Sequence, residues 1–147
     1  MILDATLAYL HIAAILGWTV FLTSQSALLR PDWANVAVLA RLQRVGLLAH
    51  IAGLAVLATG LARMGWGIKG PAWYGQQPLL WAKLALTLAL VGWAWQVTRR
   101  YAAWAANGAV PGAAELDAAR RAVMRIAHLM VLLPIAGVML ARGILTV

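Results

Sequence analysis

The chain has 147 residues, 64% of them hydrophobic, with a mean hydropathy of +0.83 and only four acidic side chains. A soluble domain must cover itself with charge, which this composition does not allow, so an integral membrane protein is expected. Cysteine is absent, which excludes disulfides, thiolate metal ligands, iron–sulfur clusters held by Cys and covalent haem attachment through C-x-x-C-H.

The first apolar block runs from Ala5 to Leu22, within a helix expected over residues 5–28. It lacks a positively charged leader and a clear small-residue cleavage pattern, so it reads as a retained helix. His11, Trp18 and Gln25 recur at intervals of seven and place a polar-aromatic seam on one helix face. An interhelical hydrogen-bond seam and a substrate or redox pathway both account for it. Arg30-Pro-Asp-Trp-Ala-Asn35 then makes a turn.

The second block, Val45 to Ala62, lies in a helix expected over 37–62. His50 shares a face with Gly46, Gly53, Leu57 and Gly60, a stripe with little side-chain bulk. Close helix packing explains such glycines as well as a flat ligand does, and the histidine among them favours a cofactor bed at Gly46 and Gly53. Pro71 to Pro78, with Trp73 and Tyr74, has the composition of an interfacial aromatic belt.

The third helix is expected over 79–100. Lys83 enters it from the same membrane face as His11 and either snorkels outward or turns inward beside that imidazole. After the turn Asn107-Gly-Ala-Val-Pro-Gly112, the last helix is expected over 116–142. Arg121, Arg125, His128, Leu132, Ile135 and Met139 share one of its faces, and Pro134 with Gly137 predicts a kink that opens space beyond His128.

Four apolar helices of about 20 residues, each long enough for about 30 Å of hydrocarbon, imply an all-α membrane four-helix bundle of up-down-up-down topology, drawn as one domain over 1–147. A β-barrel is excluded because alternation of polarity is missing. Call the membrane side of the N-terminus face A and the other face B. Face A carries Arg63, Lys69, Lys83 and Arg142, against Arg30, Arg41, Arg44, Arg99, Arg100, Arg120, Arg121 and Arg125 on face B. This asymmetry explains the net charge of +8 without nucleic acid, and it predicts face B in the cytoplasm and both termini outside a bacterial-type inner (plasma) membrane.

Ionisable groups at bilayer depth are site candidates by default. Depth divides them into two pairs, His11 with Lys83 toward face A and His50 with His128 toward face B. The second pair has the polarity of a haem site: two imidazoles as metal ligands, Arg121 and Arg125 for propionates, and apolar residues for the macrocycle. Zinc or copper is less favoured, since closely spaced His pairs and carboxylate ligands are missing.

Leu10-His11-Ile12 followed by Gly17-Trp18, Arg41 and Arg44 opening the second helix, Trp81-Ala-Lys83 opening the third and Arg125 opening the fourth resemble the layout of the HemJ family of membrane protoporphyrinogen oxidases and their small four-helix relatives. The resemblance spans nearly the whole chain. It implies haem b binding and carries the family's first-helix His onto His11 and its W-x-K lysine onto Lys83. Where that family's fourth helix tends to read R-x-x-N-E-x-P, this chain has Arg125-Ile-Ala-His128-Leu129-Met-Val131. Haem binding therefore survives the comparison better than porphyrinogen oxidation does.

The leading expectation is a membrane b-type haem protein with a redox role, oxidising a porphyrinogen or passing electrons to quinone. His50 and His128 are its expected axial ligands, and His11 with Lys83 its catalytic substrate or proton-relay pair. Membrane lipids, a tetrapyrrole or quinone and a homo-oligomeric partner are the expected contacts. The alternative from another class is a non-enzymatic transporter or assembly subunit that binds a metal, a proton or a small anion; a structural bundle that oligomerises through the glycine stripe is the third.

Overall fold

The computed structural model describes residues 2–145, so the first residue and the last two of the expected domain lie outside it. Six α-helices follow one another: α1 (Ile2–Leu28), α2 (Val36–Trp66), α3 (Gly70–Gly75), α4 (Pro78–Asn107), α5 (Ala113–Met130) and α6 (Leu132–Ala141). No strand occurs among the described residues. With α5 and α6 taken as one broken span, four helices are long and apolar enough to cross a membrane.

Local signals set the helix ends. Asn35 caps α2 by accepting a hydrogen bond from the Val38 amide at 2.9 Å. Pro78 stands at the start of α4, where a missing N–H costs nothing, and Gly108 ends that helix at φ +63°, a conformation that favours glycine. Pro134 has no N–H to offer the carbonyl of Met130, and the span breaks at Val131 between α5 and α6. Hydroxyls within the apolar spans are satisfied within their own helices: Thr19, Ser24, Thr87 and Thr98 each donate to the carbonyl four residues back.

The spans form a ring in which α1 packs on α2 and α5, α2 on α4, and α4 on α5 and α6. Interiors and exteriors of such a bundle are both apolar, so small residues decide which faces approach. The α1–α2 interface shows this most clearly. His11, Trp18 and Gln25 are all buried, and an ideal Cβ at Gly60 would lie 3.4 Å from the His11 ring, while one at Gly53 would lie 3.1 Å from the Trp18 ring. Seven residues forward on α1 match seven back on α2, a register that sets Gln25 level with Gly46. The remaining core is Leu22, Leu42, Val56, Leu90, Tyr101, Ile126 and their neighbours.

Candidate functional site

At the face-A end, α1, α2, α4 and α6 part around a cavity of about 540 Å³. Its walls are mostly apolar, including Ile12, Ile15, Val56, Leu57, Leu84 and Val138, and α3 brings Trp73 and Tyr74 to it. Into this apolar space project His11, Arg63, Lys69 and Lys83, with one carboxylate, Asp4. His11 and Lys83, expected to meet by depth, therefore do share one site.

The imidazole of His11 is held from one side. Its Nδ1 lies 2.9 Å from the Thr59 hydroxyl, and that hydroxyl lies 2.6 Å from the Ala55 carbonyl of its own helix. A carbonyl only accepts, so the Thr59 proton goes to Ala55 and the hydroxyl oxygen accepts from Nδ1–H. That assigns the tautomer and leaves Nε2 with its lone pair. The residue is 6% exposed.

Lys83 is half-buried on α4, and an ideal Cβ at Gly137 would stand 3.2 Å from its Nζ. The broken span and the bare glycine thus provide the room into which the lysine turns, whereas the sequence predicts of the Pro134–Gly137 kink only that it opens space beyond His128. Arg63 is half-buried, and its Nε is buried with no hydrogen-bond partner among the described residues. Among the described residues neither cation forms an ion pair. Asp4 is engaged elsewhere: its Oδ1 accepts from the Ile68 amide at 3.3 Å. Lys69 lies over the Trp73 ring, its Nζ 3.8 Å from the centroid, a cation–π contact at the mouth.

Sequence reasoning missed Arg63, Asp4 and the short helix α3. The signal for Arg63 was present, since it follows Val56 and Gly60 by seven and three residues and so shares the face opposite His11. It reads as a loop charge only if α2 ends at residue 62, and α2 continues to Trp66.

The second expected pair is not brought together. His50 packs its ring against Trp95 of α4 in a tilted contact, with ring centroids 4.6 Å apart, and its Nδ1 is buried without a partner among the described residues. His128 is exposed on α5, where its Nδ1 donates to the Met124 carbonyl at 2.6 Å. The helices α2 and α5 face each other across the diagonal of the ring and share no major interface. The cofactor bed is filled as well. A Cβ at Gly46 would meet Tyr101 and Thr98 at 3.0 Å, and Gly53 is closed by Trp18 and Val91. The flat groups lying on the glycine stripe are the protein's own rings, so the arrangement of His50, His128, Gly46 and Gly53 does not fit a porphyrin between them. Arg121 and Arg125 are likewise exposed on the outer surface of α5.

Residues 3–145 match the model of a family described as "Predicted membrane protein (DUF2214)". No curated protein and no solved structure matches the chain.

Proposed function

The chain belongs to the DUF2214 family of predicted membrane proteins, and for it we propose that the face-A cavity binds an apolar ligand bearing carboxylates, with a tetrapyrrole as the ligand class. One observation carries this: Arg63 and Lys83, neither of them ion-paired among the described residues, converge with His11 on a cavity whose other walls are apolar. Cations drawn out of water are costly until an anion meets them, and Arg and Lys pair strongly with carboxylates there. The volume is in the range of small-molecule and cofactor sites. Ile12, Leu57 and Leu84 suit a macrocycle, Arg63, Lys69 and Lys83 its propionates, and the His11 Nε2 a metal at its centre.

The residues of this cavity fit haem b better than the His50–His128 pair does. Bound there, haem b would supply one-electron chemistry toward a quinone or a porphyrinogen. The resemblance of His11 and the Trp81-Ala-Lys83 segment to the HemJ layout supports the same two positions. A small metal ion as ligand finds less support, since no three His, Asp or Glu side chains converge among the described residues.

The test is an absorption spectrum of the purified protein, oxidised and reduced, before and after titration with haem. A b-type spectrum is expected, abolished by His11→Ala, weakened by Arg63→Gln or Lys83→Gln, and retained by His50→Ala and His128→Ala. A protein that stays colourless through the titration overturns the tetrapyrrole reading, and loss of colour in His50→Ala overturns the ligand assignment.

A further inference from the structure

A second polar site lies at the other end of the molecule, on the outer surface. Asp117, Arg120, Arg121, Met124, Arg125 and His128 line a groove of about 470 Å³ along α5. Three guanidinium groups face one carboxylate, and no ion pair forms between them among the described residues. Arg120 is half-buried, and its Nε is buried with no hydrogen-bond partner among the described residues. The His128 ring is tied to the Met124 carbonyl, which fixes its orientation beside Arg125.

Depth says what meets this groove. At 1.5 Å per residue, Arg121 lies about 12 Å and Arg125 about 18 Å from the start of α5, and about 24 Å of helix continues from Arg125 to Ala141. The span of about 30 Å counted back from Ala141 ends near Arg121. Arg121 is therefore at the boundary of hydrocarbon and headgroups, with Arg125 one turn inside it, within snorkelling range. Below the cations the same exposed face turns apolar, with Leu132 48% and Ile135 50% exposed. Cationic groove above and apolar ladder below is the polarity of a phospholipid.

We propose that this groove binds the phosphodiester headgroup of an anionic membrane lipid, with the acyl chains along Leu132 and Ile135. Guanidinium groups match phosphate oxygens bidentately, and basic pockets at the headgroup level of membrane helices favour anionic lipids. Arg120 lines the groove beside Arg121 and Arg125, so its guanidinium adds to the positive charge that faces the headgroup. This site is independent of the face-A cavity and replaces the propionate role first expected of Arg121 and Arg125.

The protein, reconstituted in nanodiscs of equal parts phosphatidylglycerol and phosphatidylcholine, is released into detergent and its retained lipid read by native mass spectrometry. Retention of one phosphatidylglycerol in preference to phosphatidylcholine is expected. Arg121→Gln with Arg125→Gln should lower that retention about tenfold or more, while Arg41→Gln with Arg44→Gln, which removes as much charge from the same membrane face, should leave it within about twofold. Thermal unfolding in phosphatidylcholine alone verifies that both variants fold, and the single change Arg125→Lys, which keeps the charge and loses the fork, should give an intermediate loss. Equal retention of the two lipids, equal loss in the Arg41 and Arg44 variant, or complete displacement of the lipid by millimolar inorganic phosphate would each overturn the proposal. The last outcome would make the groove a free-anion site.

Discussion

Lys83 and Gly137 form a matched pair, in which the ammonium of one occupies space that a side chain on the other would fill, Nζ standing 3.2 Å from an ideal Cβ. The obstacle to a methyl at Gly137 is the far end of a flexible side chain, so alanine there should be accepted by the fold. Helix propensity favours Ala over Gly by up to about 1 kcal/mol. Gly137→Ala is therefore expected to leave stability unchanged or slightly raised while pushing the ammonium out of place and weakening carboxylate binding by about 3- to 10-fold, on the scale of about 1 kcal/mol for one charge-assisted contact. Unfolding in mixed micelles and ligand titration separate the two effects; a variant that loses both together would show that Gly137 serves packing alone.

Two glycines of α2 should respond with opposite signs. A Cβ at Gly53 is pinned between Trp18 and Val91, each 3.1 Å away and neither with room to retreat. Overpacking costs about 1–3 kcal/mol against a helix-propensity gain of up to about 1, so Gly53→Ala should destabilise by about 1–2 kcal/mol. At Gly60 the nearest atom, on the His11 ring, is at an ordinary 3.4 Å. Gly60→Ala should then be neutral or stabilising by up to about 1 kcal/mol. Equal effects in the same denaturation assay would contradict the α1–α2 register described above.

These positions also show what sequence reading reaches in a membrane bundle and where it stops. The seven-residue spacing of His11, Trp18 and Gln25 revealed a buried face, and all three are buried. Depth placed His11 with Lys83, and they line one cavity. The glycine stripe was visible too, but periodicity describes one helix and not its neighbour, so it could not tell a cofactor from Trp18 and Tyr101. For His128 the difficulty lay in the solvent: lipid makes the outside of the bundle as apolar as the inside, and a face with Arg, His and Leu reads alike in either direction. Arg63 escaped because α2 runs one turn past its apolar block.

Thr59 holds His11 in one tautomer, and removing its hydroxyl should release it. Thr59→Val keeps the shape and takes the hydroxyl acceptor from a buried N–H, at a cost of about 1–3 kcal/mol. Thr59→Ser restores the acceptor and should recover most of the loss. In the wild type, nitrogen NMR of labelled histidine should report His11 protonated at Nδ1 with a bare Nε2. A wild-type ring protonated at Nε2 would reverse the direction of the bond and remove Nε2 as a metal ligand.

Tyr101 offers the sharpest test of whether the bundle interior is dry. Its ring is fully buried against Gly46, yet among the described residues its hydroxyl has no partner, and neither has the Trp18 Nε1. A buried hydroxyl left unsatisfied costs about 1–3 kcal/mol, so in a dry interior Tyr101→Phe should be neutral or stabilise by about 1 kcal/mol. Tyr101→Ala, which empties the space beside Gly46, should instead cost about 3–5 kcal/mol. The contrast separates ring from hydroxyl, because both variants lose the same polar group. A loss of 1 kcal/mol or more in Tyr101→Phe would mean that the hydroxyl is hydrogen-bonded to water buried in the seam. The polar residues running from His11 toward face B would then line a hydrated path instead of a sealed packing interface.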